Sequence, residues 1–161
     1  MLKGFPLIIT TVECDSLQNF LHRFSIKRLS FGKCLFSVES FSILCDSITA
    51  HNSLTFVEFR DCRFFSELSP VFSYSYSKRN LIGPEGARAL AEALKVNSTI
   101  THIKLEDNSI GPEGARALAE ILKVNSTITH INLEDNSIGP EGARALAEVL
   151  KVNSTITLIY Q

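Results

Sequence analysis

NLIGPEGARALAEALKVNSTITHIKLED, residues 80–107, is a 28-residue phrase that returns almost unchanged at residues 108–135. The second copy differs from the first at Ser109, Ile121 and Asn132. A third copy begins at residue 136 and runs to residue 161. Self-similarity at a fixed period of this size predicts a solenoid in which each unit stacks on the next. The 28-residue period is the frame for the rest of the chain.

Each phrase carries a strand pattern, a turn and a helix pattern. Ile103 and Leu105 alternate with polar residues, which predicts a short strand with one buried face. Asn108 follows where the chain must turn away, and its amide can bond backbone groups that would otherwise be buried unpaired. Pro84 suits the first turn of the following helix, because its missing N–H has no partner there. We expect Gly86 to lie where this helix approaches a strand. An apolar stripe along the helix is formed by Ala87, Leu90, Ala91 and Leu94.

The apolar frame has the pattern L-x-x-L-x-L-x-x-N-x-I in both copies. In the first copy it is carried by Ile100, Ile103, Leu105, Asn108 and Ile110. A strand and a full helix in 28 residues resemble the leucine-rich repeat in its ribonuclease-inhibitor-like form, as in the repeat arrays of NOD-like receptors. That resemblance implies an α/β fold, a right-handed β-α solenoid forming a horseshoe segment. It also implies a parallel inner sheet, outer helices and a concave face that binds proteins.

Domain boundaries follow from the frame. Residues 1–25 are predicted to form an N-terminal helical cap, with an apolar stripe at Leu17, Phe20, Leu21 and Phe24. Residues 26–64 contain two diverged repeats, with Cys34 and Cys62 at the asparagine position. Because a thiol is a weak donor, we expect these two turns to be less firmly tied. Residues 80–161 are the near-identical repeats, and the last of them is truncated.

Residues 65–79 break the frame, because 46 residues instead of 28 separate Leu54 from Ile100. The favoured interpretation is a shortened repeat with an irregular connector. Its strand would be formed by Val71, Tyr74 and Tyr76. The alternative is a 15-residue insertion that loops out of the solenoid.

Composition narrows the class of protein. The 161 residues predict one domain, and the net charge of −1 gives no general attraction to nucleic acid or to a membrane surface. No apolar run reaches the roughly 18 residues of a spanning helix, and we expect no secretory signal. The four cysteines have no zinc or redox spacing, which predicts reduced thiols in a cytoplasmic protein. In that compartment the three Asn-Ser-Thr tripeptides, which begin at Asn97, Asn125 and Asn153, would not be glycosylated.

No catalytic set, phosphate loop or cofactor motif is recognisable in the sequence. The recurring GPEGA segments are interpreted as structural turns into helices. A metal ion held by His102, His130, Glu106 and Glu134 is one hypothesis for the repeated histidines. The favoured interpretation is that duplication of the unit copied a surface histidine, so we predict no metal, no cofactor and no enzyme activity.

Outward strand positions should stack in columns across the sheet and form the binding face. The predicted protein-binding residues are Phe56, Glu58, Arg60, His102, Lys104, Glu106, His130, Asn132, Glu134 and Tyr160. A mixture of aromatic and charged groups suits a protein partner, and the acidic patch around Glu106 and Glu134 favours a basic partner surface. The predicted function is therefore a non-catalytic interaction module with an unidentified protein partner. The alternatives are a GTPase activator or the sensing fragment of a larger receptor.

The C-terminal strand pattern, with Ile156 and Ile159, would leave an uncovered sheet edge. Either the chain is a fragment of a longer array, which is the favoured interpretation, or this edge is covered by a partner or a second copy.

Overall fold

The computed structural model describes residues 7–9, 19, 23, 25–32, 34–60, 62–65 and 82–160. Strands and helices alternate along these segments. The strands are β1 (Leu7–Ile9), β2 (Arg28–Gly32), β3 (Cys34–Ser37), β4 (Phe56–Arg60), β5 (Arg63–Phe65), β6 (His102–Lys104), β7 (His130–Asn132) and β8 (Leu158–Tyr160). The helices described are α1 (Val38–Ala50), α2 (Gly83–Val96), α3 (Gly111–Leu122) and α4 (Gly139–Val152). This is the α/β solenoid that the repeat period predicts.

The strands form two parallel sheets. The larger sheet has the order β2-β4-β6-β7-β8, and the smaller one has the order β1-β3-β5. In the larger sheet the copies align position for position, with Ile103 opposite Ile131 and Ile131 opposite Ile159. The smaller sheet occurs in the diverged half, where β3 and β5 follow the two cysteine turns. Parallel pairing at a constant register is the physical consequence of the constant repeat length.

One continuous core lies between the larger sheet and the helices. The inward strand residues Ile103, Leu105, Ile131 and Leu133 are all buried, as the alternation predicts. The last helix differs from its copies. Leu150 is 55% exposed, whereas the equivalent Leu94 and Leu122 are each 1% exposed, because no described helix packs on the far side of α4.

In the diverged half the core is aromatic, and the rings of Phe31 and Phe59 stack with centroids 5.2 Å apart.

Asparagines tie the turns after β6 and β7 to the preceding unit. Nδ2 of Asn108 donates to the carbonyls of Phe59 (2.7 Å) and Glu106 (2.9 Å), and its Oδ1 accepts from the amide of Cys62 (3.3 Å). Asn136 repeats this one unit later, donating to Leu105 (2.6 Å). These bonds satisfy buried backbone groups, which confirms the role predicted for the asparagine.

The cysteine turns are held by thiol hydrogen bonds, and their lower strength stays a prediction. Sγ of Cys62 contacts the carbonyls of Phe31 (3.5 Å) and Arg60 (3.6 Å), in the same arrangement as the amide of Asn108 but at longer range. Its hydrogen bond with Cys34, together with burial, raises the pKa of the Cys62 thiol. Burial also raises the pKa of Cys45 to about 12. The thiols of Cys45 and Cys62 therefore stay protonated at neutral pH.

A second asparagine ladder, which the sequence analysis did not anticipate, lies at the corner between helix and strand. Asn97 and Asn125 are 5% and 8% exposed, and their Nδ2 atoms donate to the carbonyls of Ile48 and Leu94, each at 2.9 Å. Their Oδ1 atoms accept from backbone amides within the following loop, including that of Ile100 (2.9 Å). The Asn-Ser-Thr tripeptides are thus structural corners, and repetition at 28 residues was the signal that could have shown it.

The second glycine of each GPEGA segment allows two helices to approach each other. A Cβ at Gly114 would lie 2.9 Å from Cβ of Ala87 and 3.1 Å from Cα of Pro84, both in the preceding helix, and 2.5 Å from a side-chain carbon of Ile110. Gly142 meets Ala115 in the same way at 2.9 Å. At Gly114 and Gly142 the close contact is thus with a helix and not with a strand, whereas the expectation for Gly86 stays a prediction. The closest foreign neighbour is the adjacent helix, because small residues there permit tight helix packing.

The strands on either side of residues 65–79 in the larger sheet, β4 and β6, pair directly with each other. β4 pairs with β6, with Phe56 opposite His102, and its other edge is taken by β2. Among the described residues no strand lies between β4 and β6. The strand expected from Val71, Tyr74 and Tyr76 lies outside the described residues, so both interpretations of residues 65–79 stay predictions.

The boundary of the N-terminal cap stays a prediction, because its apolar stripe lies outside the described residues. Asn19 and Arg23 are helical, in agreement with it. Leu7–Ile9 adds a feature that was not predicted, a strand that pairs with β3.

Candidate functional site

The larger sheet has an open face, defined by the strand positions that point away from the helices. Its first column runs Arg28, Phe56, His102 and His130 from β2 to β7. Its second column runs Ser30, Glu58, Lys104, Asn132 and Tyr160 from β2 to β8. Both columns were predicted at these registers, except for the tyrosines of residues 65–79.

The first column is a stack of planar groups. The imidazoles of His102 and His130 lie 4.3 Å apart between centroids and are inclined by 9°. The ring of Phe56 lies 6.3 Å from that of His102, and the guanidinium of Arg28 lies 3.7 Å from the centroid of Phe56. Burial, the neighbouring His130 and Arg28, in that order, lower the pKa of His102. His102 is therefore neutral at neutral pH.

Threonines hold both imidazoles in place. Oγ1 of Thr101 lies 2.8 Å from Nδ1 of His102, and it also donates to the carbonyl of Thr55 at 3.1 Å. Thr129 does the same for His130, at 2.8 Å, and donates to the carbonyl of Thr101 at 3.1 Å. A hydroxyl has one proton to donate, so in each pair the threonine oxygen accepts from Nδ1–H. These threonines were not among the predicted site residues.

Three residues of the second column line a depression of about 360 Å³ together with the histidines: Lys104, Asn132 and Tyr160. Lys104 and Tyr160 are exposed there, and Tyr160 presents 47% of its surface. The lining residues are Phe56, His102, Ile103, Lys104, His130, Ile131, Asn132 and Tyr160. This depression combines apolar, cationic and hydrogen-bonding groups at the centre of the open face.

Phe56 differs from the other predicted binding residues. It faces the open side of the sheet but is only 7% exposed, because Arg28 covers its ring. Arg28 itself is exposed. Contact between a partner and this column would therefore be made through the guanidinium rather than the phenyl ring.

The acidic residues lie at the edge of the open face, in turns beyond the short strands. Glu106 is half-buried and lies 3.4 Å from the guanidinium of Arg60. Glu134 is exposed, and its carboxylate accepts from Nδ2 of Asn132 at 3.1 Å. The predicted residues are thus brought together on one surface, but in two zones: a histidine and cation zone, and an acidic edge.

The metal hypothesis does not fit this geometry. Among the described residues no group of three or more histidine, cysteine, aspartate or glutamate side chains is placed to hold an ion. Glu106 is engaged by Arg60, and two imidazoles stacked nearly parallel do not direct their lone pairs at a common point.

The helical side carries solvated ion pairs. Lys95, Lys123 and Lys151 each lie near a glutamate three residues before them, and these groups are largely exposed. Arg88 additionally reaches Glu113 of the next helix at 2.6 Å. Exposed pairs of this kind contribute little to stability and leave no continuous cationic stripe.

Membrane insertion of a helix finds no support in the described residues, where every helix is too short or too polar to cross a bilayer.

The chain is similar to known proteins in part of its sequence and in its fold. Residues 96–119 and 124–147 match the family Leucine Rich repeat. No curated protein sequence matches the chain. Among solved structures, one titled leiomodin-1 actin-binding site 2 has a TM-score of 0.60 and 21% identity. It covers 76% of this chain, whereas the chain spans 61% of that structure.

A second structure, the tropomodulin C-terminal domain from Caenorhabditis elegans, has a TM-score of 0.68 and 15% identity. It covers 92% of this chain, and 81% of its own length is covered. At these identities the likeness concerns the fold. By sequence over residues 96–119 and 124–147, and by fold over its stacked units, the chain is similar to leucine-rich repeat proteins.

Proposed function

We propose that this protein is a non-catalytic interaction module that binds a protein partner on the open face of the larger sheet. The observation that carries the proposal is the in-register second column, in which Lys104 and Tyr160 are exposed beside the 360 Å³ depression. Aromatic and cationic side chains at the centre of a polar surface are typical of protein interfaces.

The fold supports the same proposal. Strand side chains of the larger sheet that point towards the helices are buried, so substitutions there would change stability rather than binding. Side chains of the open face lie on rigid, backbone-paired strands and can vary without repacking the core. A surface that is fixed in geometry and free in chemistry suits recognition.

The test compares two triple variants in capture experiments from cell extract. Lys104→Glu, Asn132→Ala and Tyr160→Ala change the open face, and we expect them to remove the specifically captured protein. The matched control changes three exposed positions of the helices, and we expect it to retain that protein. The control positions are Arg116, Glu141 and Arg144. Retention of every captured protein by the open-face variant would contradict the proposal.

Actin is the first defined partner to test, because one of the similar structures is titled an actin-binding site. Cosedimentation with filaments and gel filtration with monomers cover both forms. Binding that is lost in the open-face variant and kept in the helix variant would support actin as the partner. Binding that both variants retain would place actin on another surface.

The remaining interpretations stay predictions. GTPase activation would be detected as faster GTP hydrolysis by a candidate GTPase, and sensing as part of a receptor would require a signalling domain on the same protein. Self-association through β8 is favoured by its position at the edge of the larger sheet, and sedimentation at two protein concentrations would detect it. The ribonuclease-inhibitor-like subfamily and the cytoplasmic location also stay predictions.

A further inference from the structure

Among the described residues, the hydrogen bonds of His102 and His130 use only Nδ1 and leave Nε2 of each ring without a described partner. Because each threonine hydroxyl gives its proton to a backbone carbonyl, its oxygen accepts from the ring, so Nδ1 of His102 and Nδ1 of His130 each carry a proton. Nε2 is then the basic nitrogen of each ring. The rings stack at 4.3 Å and are inclined by only 9°, and both histidines line the depression. A pair of fixed, identically oriented bases results.

Charged groups from every neighbouring strand define the surroundings of this pair. β2 contributes Arg28, 3.7 Å from the Phe56 ring, and β6 contributes Lys104, 5.9 Å from the same ring. β4 contributes Glu58, whose carboxylate is held by the hydroxyl of Ser30 at 2.6 Å. The remaining neighbours are Asn132 on β7 and Tyr160 on β8. Two cations therefore flank the histidines, against one carboxylate that already has a hydrogen-bond partner.

We propose that the depression receives a carboxylate side chain from an acidic segment of the partner protein, and that the histidine pair takes up a proton from solvent when it binds. This deepens the proposed function and rests on it. The proton joins Nε2 of one imidazole, which then donates to the bound carboxylate. Lys104 supplies a second, permanent positive charge. Only one of the two rings is protonated, because two imidazolium ions at stacking distance repel each other.

The sign of the pH dependence follows from linkage. Without a partner, burial, His130 and Arg28 hold the pKa of His102 below its usual range, so this ring is neutral at neutral pH. A bound carboxylate favours the protonated ring and raises that pKa. Between the two values binding consumes a proton, and affinity rises as the pH falls, by at most about tenfold per pH unit. Glutamate stays ionised over this interval, since its own pKa is about 4.3.

The probe is a capped peptide of alternating glutamate and alanine, with a glutamine–alanine peptide as its uncharged counterpart. Isothermal titration at low salt, at about pH 7.5 and about pH 5.5, measures both dissociation constants for the full chain. We expect the glutamate peptide to bind about fivefold to tenfold more tightly at the lower pH. The measured enthalpy should also depend on the ionisation enthalpy of the buffer, which reports proton uptake directly.

Variants separate the histidines from the fixed charge. His102→Gln with His130→Gln should remove the pH dependence and leave weaker binding at both pH values. Lys104→Gln should weaken binding at both pH values and keep the ratio between them. Circular dichroism confirms that each variant is folded. An unchanged ratio in the double histidine variant, or equal affinity for the glutamine peptide, would overturn the proposal.

The two proposals fail differently. If the open-face triple variant loses its captured partner but the acidic peptide shows no histidine-dependent binding, the pocket chemistry is wrong and the interaction face stands. If the peptide binds as expected but the open-face triple variant still captures the partner, the partner binds on another surface. In that case the histidine-dependent binding of carboxylates stands, and the proposed interaction face does not.

Discussion

Replacing Asn108 by alanine removes one rung of the turn ladder and tests the physical basis of the repeat stack. The substitution leaves the carbonyls of Phe59 and Glu106 without the Nδ2 donor, and the amide of Cys62 without the Oδ1 acceptor. The side chain of Asn108 is fully buried, so water does not replace these bonds freely. At about 1 kcal/mol for each unpaired group, and less for the partly buried Glu106 carbonyl, the expected loss is about 2–3 kcal/mol.

That loss is a large share of the 5–15 kcal/mol typical of a folded domain. Urea unfolding followed by circular dichroism measures it. Asn108→Cys, which copies the residue at the diverged turns, keeps a weak donor and should lose a smaller amount. Asn132→Ala is the matched control, because the hydrogen bonds of Asn132 are exposed and its replacement should change stability by about 0.5 kcal/mol or less. A loss in Asn108→Ala no greater than in the control would refute the ladder as a source of stability.

Three further substitutions test other features of the stack and the site. Gly114→Ala should destabilise the protein by about 1–3 kcal/mol in the same unfolding assay, because its Cβ would lie 2.9 Å from Cβ of Ala87. Gly32→Ala is the control and should change stability much less, because a Cβ there meets nothing within 4 Å. Equal effects of the two substitutions would contradict helix–helix packing as the reason for the second glycine. Cys62→Asn should raise stability by about 1–2 kcal/mol, since an amide would replace two long thiol contacts, and a loss would show that the diverged turn cannot accept the asparagine geometry. The lowered pKa of His102 means that this imidazole binds a proton more readily in the unfolded chain, so the free energy of unfolding should fall as the pH drops through about 6.5. The melting temperatures at pH values above and below about 6.5 should therefore differ less in His102→Gln than in the wild type. An identical pH dependence in both proteins would contradict the lowered pKa of His102.

Repetition made most of the fold predictable. The apolar positions, the strand and helix order and the role of Asn108 all followed from a pattern that recurs at 28 residues, because stacked copies must present the same groups to each other. The columns of the open face followed too, since a constant repeat length fixes the register. The same logic could have found the corner asparagines, Asn97 and Asn125, but their tripeptide context suggested a modification motif instead.

Other features depended on contacts between units that no single phrase contains. The strand that pairs with β4 opposite β2 is β6, although 46 residues separate Phe56 from His102. The partner of Gly114 is a neighbouring helix, and the cover over Phe56 is an arginine from a neighbouring strand. These contacts depend on distances in space between residues 27 or more positions apart.

For this protein the sequence alone determined the period, and with it the solenoid, the buried face and the identity of the residues in each column. Only the tertiary structure decided what those columns can do: that the two histidines stack at 4.3 Å, that threonine hydroxyls fix their tautomer, and that Arg60 pairs with Glu106. The reason is physical. Periodicity fixes which positions are neighbours, whereas the orientation, protonation and pairing of side chains depend on the groups that surround them in three dimensions.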